Sequence, residues 1–238
     1  MQGHIPFNKD VETNGRYIYT GNDARKSSIV ANKLQTDMLH REISGYEFSS
    51  ILDVGCGDGT YTAEFLRFKD IKILGLDPAV KAITFALNNW GHQDRLSFTS
   101  LPMASLIENG EFFDLVVLRG VLHHCENPQQ VLHEASCLSN TIVILEPNGW
   151  NPILKIIEKV SPYHRAHSEK SFTRKKITSW LKTCGFEVEF FSLGVLVPFF
   201  FPSILIPLML KAELILHKVP KLGKFLFGTQ VLLAKKVK

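Results

Sequence analysis

Two acids and three glycines define the chemistry this chain can do. Ile51-Leu52-Asp53-Val54 reads as a short buried strand, and Gly55-Cys56-Gly57-Asp58-Gly59 as a tight turn after it. Thr60 opens a segment with helical character, Tyr61 to Phe68, so the glycines sit at a strand-to-helix corner. Glycine at such a corner lets the backbone approach a ligand with no Cβ in the way. A second apolar run, Ile73-Leu74-Gly75-Leu76, ends in Asp77. If the two strands are parallel neighbours, the Asp77 carboxylate emerges beside the corner, where it can accept hydrogen bonds from both hydroxyls of a ribose. Together these residues predict a cofactor that contains a nucleoside.

The spacing narrows the choice. Dinucleotide-binding turns want Gly-x-Gly-x-x-Gly with a pyrophosphate on the helix N-terminus. Here the spacing is Gly-x-Gly-x-Gly, Asp53 stands two residues before it, and Asp58 lies within it. Two carboxylates repel a pyrophosphate, yet they suit a ligand that carries an ammonium and a sulfonium. That ligand is S-adenosylmethionine, and Leu52-Asp53-Val54-Gly55-Cys56-Gly57-Asp58-Gly59 resembles the first motif of class I S-adenosylmethionine-dependent methyltransferases. Further along, Phe113-Asp114-Leu115-Val116-Val117-Leu118, then Leu122-His123-His124 and Asn127-Pro128, are similar to the fourth-strand region of the type 11 branch, which includes ubiquinone and menaquinone methyltransferases. Thr141 to Asn148 is like that family's fifth strand and the polar turn after it.

The resemblance implies an α/β fold: a doubly wound, seven-stranded, mostly parallel sheet of Rossmann-like type, with an apolar helical insertion before the last strand. It places the cofactor on Asp53, Gly55, Cys56, Gly57, Asp77, Pro78, Leu101, Met103 and Arg119; no metal is expected, because no His/Cys/Asp cluster has metal-ligand spacing. The pattern departs from the family at one point. Where the family often carries an Asp that accepts a hydrogen bond from the adenine amino group, this chain has Pro102. Backbone groups near Leu101 to Met103 are then left to hold the adenine.

The elements that must position these groups follow from pattern and length. A chain of 238 residues with net charge +4 can bury one substantial core. We expect a single domain: a helical cap over 1–45, a cofactor-binding core over 49–148, and a substrate-side half over 149–238. Strands are expected near 49–54, 71–76, 95–100, 112–118 and 140–146, a sixth over Phe186–Phe190, and an antiparallel seventh over Gly228–Val237. Ser27 or Ser28 is expected to cap a helix with Val30, Leu34 and Met38 on one face, Asn151-Pro152 to start another, and Thr173 to cap a third bearing Ile177, Trp180 and Leu181. The four scattered cysteines include no Cys-x-x-Cys pair, and the N-terminus lacks the order of a secretory signal, so a cytoplasmic setting is expected. Cys56 reads as a small buried residue rather than a nucleophile.

One stretch fits no ordinary core pattern. From Phe190 to Leu210 there is no charged residue, close to the ~20 apolar residues of a spanning helix, yet Pro198, Pro202 and Pro207 interrupt it. Lys211, Lys218, Lys221 and Lys224 follow among apolar residues. The segment 193–224 therefore reads either as a buried insertion or as a peripheral contact with an anionic membrane beside a lipid-linked acceptor.

Methyl transfer needs alignment and, for an oxygen nucleophile, a base. His123 and His167 are the candidate bases, with His124 and His164 nearby and Arg165 and Lys170 as candidate anion ligands; the paired His123 and His124 are expected to point to different faces. The expected activity is O- or C-methylation of a small or lipid-associated acceptor, such as a quinone precursor or lipid-linked saccharide. An RNA acceptor, a nicotinamide-dependent oxidoreductase and a non-catalytic scaffold are the alternatives. The basic residues interleave with aliphatic runs rather than with exposed aromatics, which disfavours nucleic acid as a partner.

Overall fold

The computed structural model describes residues 25–161, 170–199 and 201–237. Seven strands form one sheet in the order β3-β2-β1-β4-β5-β7-β6. They are β1 (Ser50–Val54), β2 (Lys72–Leu76), β3 (Leu96–Thr99), β4 (Leu115–Arg119), β5 (Thr141–Pro147), β6 (Phe186–Gly194) and β7 (Thr229–Lys236). β7 alone runs against its neighbours. The apolar runs of β4 and β5 are buried on both faces, as parallel strands covered by helices must be. This is the doubly wound sheet that the sequence led us to expect.

Helices cover both faces. On one side α1 (Lys26–Ile43) and α2 (Val80–Trp90) set Leu39, Ile43 and Ile83 against Ile51, Val117 and Val143. On the other, α3 (Met103–Glu108), α4 (Pro128–Leu138) and α6 (Arg174–Thr183) set Leu106, Leu132, Ile177 and Leu181 against Leu52, Leu118 and Leu232. Between them in sequence, α5 (Pro152–Val160) follows β5, while α7 (Ile206–Leu216) and α8 (Pro220–Leu226) join β6 to β7.

The chain leaves β1 toward β2 on one side and returns as β4 on the other. That reversal makes the carboxyl edge between β1 and β4 the crevice of the sheet. Val54 is level with both Leu76 and Leu118, so Gly55, Asp77 and Arg119 follow at neighbouring tips.

Local expectations are met unevenly. Asn151 caps α5, accepting from the amides of Ile153 and Leu154, and Thr173 caps α6 through Lys176 N. Tyr61 to Phe68 is helical only over Ala63–Arg67, as a 3-10 helix, and the buried Thr62 before it donates to Asp53. Ser27 and Ser28 do not cap α1. Both are buried inside it and donate to Phe199 O at 2.7 Å, joining the helix to the chain after β6. Of the expected face Met38 is buried, while Val30 and Leu34 are only half-buried; the helix also buries Ala31, Leu39 and Ile43. β6 runs on to Gly194 past a bulge between Val188 and Phe190, so the insertion begins after the position read from sequence.

Candidate active site

The glycine corner is held to the end of β2 by its own amides. Gly55 N and Cys56 N both donate to Leu76 O, at 2.7 and 3.1 Å, and Gly57 N donates to Asp77 Oδ2 at 2.9 Å. Gly59 N reaches Cys56 O, and Thr60 N reaches the Asp58 carboxylate, which is buried and shapes the loop itself. Glycine is required here on two grounds. Gly55 and Gly59 have φ of +73° and +76°, and a Cβ would come within 2.6 Å of Val121 at the first and 2.7 Å of Phe98 at the second. The sequence suggested amides free to approach a ligand. The structure corrects that: Gly55, Cys56 and Gly57 already donate within the protein. An anion finds little to bind on this loop, whereas a cation meets carboxylates.

Those carboxylates are Asp53 and Asp77, 5% and 8% exposed. Asp53 accepts from Thr62 Oγ1 at 2.7 Å, and burial, only partly offset by Thr62 and Arg119, raises its pKa from 3.8 to about 6. Asp77 Oδ1 accepts from Ala79 N at 2.8 Å, fixing the turn into α2. Pro78, Val80 and Leu101 stand exposed at the tips of β2 and β3. Val80 was not singled out by sequence; an exposed apolar residue beside an expected ribose ligand was the available signal. Met103 turns its side chain into the core. Cys56 is buried, and burial with the surrounding carboxylates pushes its thiol well up, as expected of a packing residue.

Arg119 joins three elements. Its guanidinium lies 3.9 Å over the Tyr61 ring and donates to Thr36 Oγ1 and Asn32 O of α1. It thereby faces the corner while holding α1 against it.

Across the crevice stands a second polar group. His123 Nδ1 lies 2.8 Å from Glu146 Oε2, and Glu146 is wholly buried at the end of β5. Its other oxygen accepts from Val121 N and Leu122 N at 2.8 and 2.7 Å. A carboxylate that accepts on both oxygens fixes the proton of His123 on Nδ1 and leaves Nε2 as the acceptor. Glu146 was missed from sequence, although it is the one acid in the apolar run Ile142–Leu145–Glu146. His123 and His124 do not point to different faces. The 3-10 turn Leu122–His124 lacks strand alternation, and the two rings lie 3.9 Å apart between centroids. Lys170 N donates to His123 O, while His164, Arg165 and His167 lie outside the described residues. Among the described residues no group of three or more His, Cys, Asp or Glu is placed to hold a metal ion.

Residues 52–150 match the family model of a methyltransferase domain. A tRNA U34 carboxymethyltransferase from Campylobacter jejuni subsp. doylei is 29% identical over 99 residues, 40% of this chain and 34% of that protein. The mitochondrial ubiquinone biosynthesis O-methyltransferase of Dictyostelium discoideum is 28% identical over 133 residues, 51% of this chain and 38% of that protein. The chain thus spans little more than a third of the length of these relatives. Among solved structures, magnesium protoporphyrin IX methyltransferase from Synechocystis PCC 6803 with bound SAH superposes with a TM-score of 0.69 at 14% identity, covering 97% of this chain and 96% of that one. An N-methyltransferase from Bradyrhizobium japonicum WM9 superposes at 0.58 with 11% identity, covering 88% and 98%.

Proposed function

We propose that this chain carries a class I, S-adenosylmethionine-dependent methyltransferase domain that methylates an oxygen or carbon of a small or lipid-associated acceptor, with His123 as the base. The observation that carries the reading is the His123–Glu146 pair, set across the crevice from the carboxylate-lined corner.

The corner's chemistry fits the cofactor. Asp77 takes the ribose hydroxyls, Asp53 and the glycine turn take the methionine end with its ammonium, and Pro78, Val80 and Leu101 offer apolar surface to the adenine. When bound, the cofactor supplies an electrophilic methyl group on a sulfonium. The remaining work falls to the protein. His123 Nε2 would accept the acceptor's proton, leaving its oxygen or carbon as the nucleophile toward that methyl group. Glu146 holds the imidazole in that tautomer and balances the charge it gains. Arg119 positions α1 and Tyr61 around the crevice.

The acceptor class rests on the composition near the site. The chain between β6 and β7 is apolar and lysine-bearing, which favours a quinone precursor or lipid-linked saccharide, and with it a peripheral position at a membrane. Isotopically labelled S-adenosylmethionine, incubated with the protein and separated lipid and tRNA fractions, tests this by mass spectrometry. Label in a lipid-soluble product is expected. Label in tRNA would replace the acceptor class, and label in no fraction would defeat the assignment of methyl transfer.

A further inference from the structure

Three helices at the carboxyl edge expose more apolar surface than a water-facing layer should. Ile153, Ile156 and Val160 of α5 stand open, the last at 65%. On α7, Ile204 (just before the helix), Leu208, Lys211 and Ile215 fall along one stripe at helical spacing, with Leu214 beside them at 68%. Leu222 and Phe225 of α8 complete the set. α8 joins the other two: Asn151 Nδ2 at the start of α5 donates to Leu226 O, and the Phe225 ring meets Trp150 edge-on. Gly223 of α8 sits against Leu216 at the end of α7. Apolar patches of this extent mark a contact surface.

Charge identifies the occupant. The two acids of these helices turn back on the protein: Glu213 accepts from Val195 N and Leu196 N, and Glu158 from Ser171 N. The exposed charges of the face, Lys159, Lys211, Lys218 and Lys221, are all positive. Lys224 lies 3.9 Å over the Trp150 ring, its stem along apolar surface. No helix among the described residues is long and apolar enough to cross a membrane. Apolar stripes with lysines among them, and acids withdrawn, match an anionic lipid headgroup layer over an acyl boundary.

We propose that α5, α7 and α8 form one interfacial surface that docks on an anionic lipid bilayer. The inference deepens the reading above only in giving a lipid-associated acceptor its route; docking itself needs no turnover. Asn148, two residues beyond Glu146, donates to Lys224 O and Phe227 O at 2.9 Å, so the docked face is anchored to the strand that orients His123.

The test is co-sedimentation with phosphatidylcholine vesicles, with and without phosphatidylglycerol, at low and high salt, for the parent, Lys211/Lys218/Lys221/Lys224→Gln and Leu208/Leu214→Ser. Leu208 and Leu214 are 63% and 68% open, Lys211, Lys218 and Lys221 are exposed and Lys224 is half-buried; circular dichroism verifies folding. The parent should sediment with anionic vesicles, less at high salt, with a blue shift in fluorescence that Trp150→Phe removes. The lysine variant should bind at least about tenfold more weakly, since each lysine near an anionic surface contributes roughly fivefold. The leucine variant should lose binding even at low salt. Absence of parent binding, indifference to the lysines, or indifference to the leucines would each overturn the proposal. So would a lipid-independent dimer by light scattering that the leucine variant abolishes, because the face would then belong to a second copy.

Discussion

The Nδ1 atom of His123 stands 2.8 Å from Oε2 of Glu146, joining the tip of β4 to the tip of β5 at the edge of the crevice. Glu146 has no exposed surface, and both of its oxygens accept hydrogen bonds. One residue thus shapes the turn after β4 and sets the tautomer of the histidine that the same turn carries.

Glu146→Gln should therefore impair turnover without impairing cofactor binding. A glutamine amide can donate where the carboxylate only accepted, which favours the tautomer whose Nε2 carries the proton and cannot act as a base. Loss of a base typically lowers kcat roughly 10²–10⁴-fold. Binding of the demethylated cofactor by calorimetry should stay within threefold or so of the parent. His123→Ala should match it in kcat. A His123→Ala protein at parental rate would remove His123 from the chemistry.

Asp77→Ala should weaken the cofactor through two losses. The carboxylate would no longer meet the ribose, and Gly57 N and Ala79 N would lose their acceptor. A hydrogen bond to a charged group contributes about 1.5–3 kcal/mol, so affinity should fall by tenfold or more. Melting temperature measured alongside separates loop damage from lost contact. Parental affinity in this variant would refute the ribose assignment.

How much of this was legible follows from which residues announce themselves locally. Gly55, Gly57 and Gly59 adopt positive φ and have few substitutes, and Asp53 and Asp77 are acids at the ends of apolar runs. Their types and spacing survive in one dimension. Glu146 is as buried as they are but reads as an ordinary strand end, because its partners Val121, Leu122 and His123 are set by the pairing of β4 with β5. Ser27 and Ser28 look like caps from their type; only the chain after β6, more than 170 positions away, shows them as ties to Phe199. Arg119 likewise acquires its place from Thr36 and Asn32 of a distant helix. Motif chemistry is local, while the groups that orient it come through tertiary pairing.

Asn148→Ala should loosen α8 without unfolding the sheet. It removes the donations to Lys224 O and Phe227 O, the second of which keeps only the longer bond from Asn151, a loss of about 1–3 kcal/mol. Hydrogen exchange should quicken over 220–228 and remain parental in β1 and β4. Uniform quickening would instead mark Asn148 as part of the global core.

Turnover should survive EDTA. His123 engages Glu146 and packs on His124, and among the described residues no His, Cys, Asp or Glu group has metal-ligand spacing. Loss of activity with chelator and its recovery with Mg²⁺ would contradict the proposed metal-free site.

Asp53 should couple both stability and cofactor affinity to pH. Its folded pKa is about 6 against an ordinary 3.8, with burial the leading cause. Between those values the folded protein holds a proton that the unfolded chain has released. Stability therefore falls as pH rises from about 4 to about 6, by about 3 kcal/mol for a shift of that size, and is level above it. Asp53→Asn removes this penalty, so it should melt higher than the parent at pH 8 and converge with it near pH 4. Cofactor binding runs the other way. A cation beside Asp53 favours the ionised form, so below about pH 6 binding must expel the proton, and affinity should drop by up to tenfold per pH unit. Asp53→Asn should bind more weakly at pH 8 yet lose that slope. Calorimetry from pH 5 to 8 in two buffers of different ionisation enthalpy reads the proton release directly. A variant that melts lower at pH 8, or a parent whose affinity is flat through pH 6, would show that Asp53 is not the acid facing the cofactor's cationic end.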